Sequence, residues 1–148
     1  MKKDKFYYGM ISGLVAGTVQ NTLNLTIFIL GVTSLRYLDW TSIMIYGHKP
    51  VTILDGLFAL INQLGINATI GIIFAYALPL LGFEHYLLKG MVMGIGAFQF
   101  TYFITFLFKI PDLIIIPTYT AISNFTTSAI FGIILALLVK KWVYSSVK

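Results

Sequence analysis

The chain has 148 residues, of which 58% are hydrophobic and only 10% charged, and its mean hydropathy is +0.89. A soluble domain of this length needs far more charge to cover its surface, so a water-soluble globular protein is excluded. The net charge of +5 is carried by residues gathered at the termini and in three short stretches, which argues against a nucleic-acid-binding role and for lysines collected on one side of a membrane. With no cysteine, the chain has no disulfide framework, lipoprotein anchor, palmitoylation site or thiolate metal site.

The expected fold is all-α and polytopic: one transmembrane domain over residues 1–148, with four spans at about 6–30, 55–81, 88–108 and 117–139. Each approaches the ~20 apolar residues that a helix needs to cross ~30 Å of hydrocarbon. The start Met1-Lys2-Lys3-Asp4-Lys5 resembles a basic leader. The apolar run behind it is longer than a signal core and carries Gln20, Asn21 and Asn24, so a retained first span is expected. Next comes RYLDWTSIMIYGHKP, too short and too mixed to span. Residues 37–48 read as a short helix lying in the interface, with Tyr37, Trp40 and Tyr46 at headgroup level and Asp39 and His48 as further contact groups. A re-entrant loop is the alternative. Gly47 and Pro50 end this helix, Glu84, His85 and Lys89 mark the next turn, and Lys109 to Asp112 close the third span.

Counting Lys and Arg on alternate sides places Lys2, Lys3, Lys5, Lys89, Lys140, Lys141 and Lys148 on one face against Arg36, Lys49 and Lys109 on the other. Both termini are therefore expected in the cytoplasm, in a multi-pass protein of a bacterial cytoplasmic membrane.

An internal repeat accompanies this pattern. GMISGLVA from Gly9 aligns with GMVMGIGA from Gly90 at an offset of 81, and NATIGIIFAYALPLL from Asn67 aligns with NFTTSAIFGIILALL from Asn124 at an offset of 57. This predicts two helical hairpins repeated in parallel, related by a pseudo-twofold axis along the membrane normal. Gly9, Gly13 and Gly17, with Gly90 and Gly94, form small-residue stripes that let helix backbones approach closely.

A belt of amides lies at mid-span: Gln20, Asn21, Asn24, Asn62, Gln63, Asn67, Gln99 and Asn124. These amides are expected to face the bundle interior, because an amide pointed at lipid leaves its hydrogen-bonding groups unmet. They serve either as interhelical glue or as the lining of a wet pathway. No Asp, Glu, Lys or Arg stands at mid-span, which disfavours a proton-coupled carrier and leaves a neutral-solute or anion route open.

Catalytic patterns are sparse. His48 with Asp39 and Asp55 is a weak candidate metal site, and Glu84-His85 beside Lys89 reads as a headgroup-facing turn. No phosphate loop, zinc spacing or Ser/His/Asp arrangement is present, and no cofactor is expected. Asp112, between Pro111 and Pro117, is a second candidate contact point in a stiff outer turn.

The segments LRYLDWTSIMIYGHKP, YLLKG and LFKIP resemble a group of small four-helix membrane proteins of Gram-positive bacteria. The resemblance implies a four-span fold and brings no activity or site residue with it. The expected function is a non-enzymatic scaffold or accessory subunit of a membrane assembly, in contact with lipids and with a partner membrane protein or further copies of itself. The alternative is a small homo-oligomeric channel or carrier for a neutral polar solute or an anion. An interfacial lipid-modifying enzyme is a third reading, and it requires an essential residue among Asp39, His48, Asp55, Glu84 and His85.

Overall fold

The computed structural model describes residues 4–111, 113 and 115–145; Lys2, Lys3 and Lys148 of the lysine count, and the candidate contact Asp112, lie outside the described residues. Five helices follow one another: α1 (Lys5–Ile29), α2 (Tyr37–Tyr46), α3 (Ile53–Leu81), α4 (Tyr86–Leu107) and α5 (Thr118–Trp142), with no strand among the described residues.

Local chemistry sets the helix ends. The Asp4 carboxylate accepts from the N–H groups of Phe6 and Tyr7 at 2.9 and 3.1 Å, satisfying two of the donors that the first turn of α1 leaves open. At α3, Thr52 Oγ1 accepts from Asp55 N at 3.1 Å while Asp55 Oδ2 accepts from Thr52 N at 3.0 Å, a reciprocal capping box. Gly47 ends α2 at φ 78°, a left-handed conformation that suits glycine. Lys89 reaches back across the 82–85 turn and donates to the carbonyls of Leu81 and Gly82 at 2.6 and 3.1 Å, closing the C-terminus of α3.

Three helices, α3, α4 and α5, are long and apolar enough to cross a membrane, with mean hydropathies of 1.9, 1.5 and 2.0 over an 18-residue stretch of each. This corrects the expectation of four spans apolar by composition, because α1 is long enough but not apolar enough. Its buried face is made of Gly9, Ser12, Gly13, Ala16, Gly17, Gln20 and Asn24, small and polar groups that lower its mean, and the exposed Thr18, Thr22 and Thr26 lower it further.

α1 runs through the centre of the bundle, packed on α3 and on α5, while α4 packs on α5 and α2 packs on α3. α3 and α4 adjoin in sequence yet scarcely touch. Glycine makes the tight contacts. A Cβ added at Gly9 would come within 2.9 Å of the Ala75 methyl, and one at Gly13 would overlap the Asn67 carbonyl oxygen. In the second hairpin, Gly90 lies against Gly132 and Ala136, and Gly94 against the Ser128 carbonyl oxygen and Gly132. Gly17 packs under the Asn67 side chain.

These contacts define a register. Gly71 and Ala75 meet Gly9 as Gly132 and Ala136 meet Gly90, an offset of 61 residues, one helical turn beyond the 57 read from the sequence. Contact therefore matches Asn67 with Ser128 rather than with Asn124. One turn is an easy slip, because positions four apart lie on the same helix face.

Two apolar clusters close the two ends. Phe74, Leu78, Phe131, Leu135 and Val139 form one, sealed by Tyr144, whose hydroxyl donates to the Ala75 carbonyl at 2.6 Å. Leu35, Trp40, Ile43 and Leu113 form the other.

The packing predicts opposite outcomes at two glycines of one helix. Gly94→Ala forces α4 off α5 and should cost about 1–3 kcal/mol. Gly96→Ala, where an added Cβ meets nothing, should be neutral or stabilising by up to ~1 kcal/mol through helix propensity. Thermal unfolding of the purified protein, followed by size-exclusion chromatography, checks both; equal shifts would refute the glycine contact.

Candidate functional site

The amide side chains organise the middle of the bundle. Gln20 and Asn24, four residues apart, share one face of α1 and point at α5. Asn24 Nδ2 donates to Asn124 Oδ1 at 2.9 Å, and its own Oδ1 accepts the backbone N–H of Tyr37 at 2.9 Å. Asn124 Nδ2 donates to the Tyr102 hydroxyl at 3.3 Å. The Tyr37 hydroxyl donates to the Asn124 carbonyl at 2.6 Å and also meets Ser128 Oγ, which accepts from Gln20 Nε2 at 3.2 Å. One hydrogen-bonded chain thus ties α1, α2, α4 and α5. Thr41 extends the arrangement to α3 by donating to Gln63 Oε1 at 2.6 Å.

Five of the eight belt residues are therefore inside: Gln20, Asn24, Gln63, Asn67 and Asn124 are all buried. Gln99 corrects the expectation that every amide faces inward, and Asn21 and Asn62 are half-buried. Asn21 and Asn62 donate to carbonyls of their own helices, Gly17 and Phe58, each at 2.8 Å, which meets the amide donor without a partner helix. Gln99 is exposed on α4.

The segment expected to lie in the interface divides between the protein interior and its surface. Tyr37, Asp39 and Trp40 are buried in protein, while Tyr46 and His48 are exposed. Buried rings with polar tips need partners. Tyr37 finds them on α5, and Trp40 stacks on Tyr102 at 4.8 Å between ring centroids. Asp39 holds the start of α2, accepting from Arg36 N and from the Arg36 guanidinium, both at 2.7 Å. α2 thus packs into the bundle end through Tyr37, Asp39 and Trp40. Its hub, Tyr37, was legible only as an aromatic ring, and Thr41, Tyr102 and Ser128 carried no distinguishing signal.

A cavity of about 360 Å³ adjoins this network. α3 and α4 form its walls, with Ile66, Ile70 and Ile73 facing Phe100 and Ile104; Gln20 and Phe131 lie at its back, and α2 closes one end. Ile66, Ile73 and Phe100 are exposed, so the mouth opens on the outer surface between α3 and α4. Among the described residues, no charged one lines it. Three of its lining side chains carry a buried polar atom that finds no hydrogen-bond partner among the described residues: Gln20 Oε1, Asn67 Nδ2 and Trp40 Nε1.

The acidic and imidazole groups do not converge. Asp39 is engaged by Arg36, Asp55 caps α3, and His48 is exposed with Nδ1 2.7 Å from the Lys49 carbonyl oxygen. Among the described residues no group of three or more His, Asp or Glu could hold a metal ion, so the His48–Asp39–Asp55 candidate is not one site. At the 82–85 turn, the Lys89 ammonium is taken up by backbone carbonyls instead of Glu84.

No family model matches the chain, and neither a curated protein nor a solved structure matches it.

Amides in the network and amides bonded within their own helix should differ sharply on truncation. Asn24→Ala strands both the Asn124 Oδ1 acceptor and the Tyr37 N–H and should cost about 1–3 kcal/mol. Asn62→Ala should stay within about 0.5 kcal/mol. Unfolding in mixed micelles measures both; similar costs would mean the network does not hold the bundle.

Proposed function

We propose that the chain is a four-span integral membrane protein, both termini cytoplasmic, that acts without catalysis as a scaffold or accessory subunit of a membrane assembly. The observation that carries this reading is the pairing of Asn24, Asn124 and Tyr37 across α1, α2 and α5, which uses the amides as interhelical bonds. The fourth span is α1. Its 25 residues rise about 37 Å at ~1.5 Å each, and it lies antiparallel to α3 along the glycine contacts. Lys5, Lys89, Lys140 and Lys141 belong to helix ends on one side and Arg36, Lys49 and Lys109 to the other, which supports the orientation. The matched contacts of Gly9 and Gly90 support a duplicated hairpin.

The natural absence of cysteine gives a clean test. Single cysteines at Asn24, Asn67 and Asn124 should resist a membrane-impermeant thiol reagent in both intact cells and inverted vesicles. Cysteines at His48 and Lys141 should label from opposite faces. Labelling at two or more of the buried positions would place water at the amides and transfer the argument to a pathway.

A second reading, a small homo-oligomeric channel or carrier, draws on Gln99. Val92, Gly96, Gln99, Phe103 and Phe106 are all exposed at alternating spacings of four and three, the pattern of a coiled-coil seam with one polar member. The Gln99 amide has no hydrogen bond among the described residues, and two such amides can bond to each other. On this reading Gln99→Cys forms a disulfide-linked dimer in membranes under mild oxidation while Met91→Cys does not. Absence of the Gln99→Cys dimer would count against self-association through α4.

A further inference from the structure

We propose that the cavity between α3 and α4 binds a single-chain lipid with an uncharged alcohol head, entered sideways from the bilayer; this rests on the membrane-spanning reading above. Three observations converge on that chemistry.

The first is the unmet polarity. Gln20, Asn67 and Trp40 are 4%, 2% and 3% exposed, and each carries a polar atom without a partner. Such groups are costly in an apolar interior, and native structures rarely leave several around one space. They comprise one acceptor, Gln20 Oε1, and two donors, Asn67 Nδ2 and Trp40 Nε1. A hydroxyl is the converse, with one donor and two acceptor lone pairs. These atoms are packed into the wall, and the terminal amide torsions of Gln and Asn are soft enough to turn them toward an arriving head.

The second is charge. With no Lys, Arg or His among the described residues that line the space, a carboxylate or phosphate would enter unpaired, at a prohibitive desolvation cost. The head is therefore neutral.

The third is shape. At the ~30 Å³ that one water occupies in the liquid, 360 Å³ holds about a dozen non-hydrogen atoms. Water itself is a poor occupant of walls made by Ile66, Ile70, Ile73, Phe100 and Ile104, whereas a hydrocarbon chain fits them and can leave through the mouth. That mouth lies between two of the helices apolar enough to meet lipid directly.

Trp40 reports on the site, because the chain has two tryptophans and Trp142→Phe leaves Trp40 alone. The single-tryptophan protein, reconstituted in phosphatidylcholine vesicles, is titrated with a dibrominated octadecanol, the matching dibrominated octadecane and the matching dibrominated octadecanoic acid, bromine quenching being short-ranged. The alcohol should quench saturably, with a half-saturating mole fraction about tenfold below those of the alkane and the acid, about the effect of one net hydrogen bond. Ala97→Phe, which fills the cavity, should abolish the saturable component. Asn67→Leu should weaken the alcohol about tenfold and leave the alkane unchanged. Equal, non-saturating quenching by all three probes overturns the proposal, as does preference for the acid. The comparison of probes needs no cavity variant, so it stands even if Ala97→Phe misfolds. A chain that labels as a four-span protein yet shows no saturable quenching removes the pocket and leaves the membrane reading intact.

Discussion

A buried asparagine amide brings two donors and an acceptor into the interior, and each one left unmet is costly. In this bundle the contact between Asn24 of α1 and Asn124 of α5 meets that demand, and other features follow from it. Asn24 Oδ1 takes the first N–H of α2, so the connection after α1 folds inward instead of lying on the surface. The same anchor delivers the Tyr37 hydroxyl to α5 and brings Trp40 against Tyr102 of α4. Individual hydrogen bonds between membrane helices contribute little, averaging about 0.6 kcal/mol, but unmet groups in hydrocarbon cost several times more. The network's effect lies chiefly in excluding other arrangements.

Packing divides α1 into two halves with different chemistry. Toward its N-terminus, glycines bring backbones together, with Gly9 and Gly13 against α3. Toward its C-terminus, Gln20 and Asn24 reach α5 by hydrogen bonds. α1 thereby joins both hairpins, while α4 packs chiefly on α5. The cavity is the space left because α3 and α4, joined by a short turn, each face inward toward other helices.

Much of the architecture was legible because charges and prolines interrupt apolar runs at the points where the helices end. Helix positions followed within a few residues. What composition could not give was direction. Asn62 and Gln63 are neighbours in sequence, yet only Gln63 falls in line with Asn67, Gly71, Phe74 and Leu78 on the buried face of α3. That periodicity was available and distinguishes the two. Gln99 similarly falls outside the buried line of Gly90, Gly94 and Thr105 on α4. Tyr37 and Trp40 are a different case. An amphipathic ring suits a headgroup region and a polar-lined protein interior equally well, and the choice depends on partners 62 and 87 residues away. The low hydropathy of α1 comes from Gln20 and Asn24 on its buried face and from Thr18, Thr22 and Thr26 on its exposed one.

The partners of Gln20 and Asn24 are Ser128 and Asn124, so the amides of the first helix are made long before the groups that satisfy them. At ~5–20 residues per second, a separation of 100 residues is roughly 5–20 s of synthesis. On the four-span reading, α1 cannot settle into lipid as a finished element during that interval. It must wait beside the insertion machinery or near the headgroups until α5 emerges, and the last helix to be made is the one that completes the first.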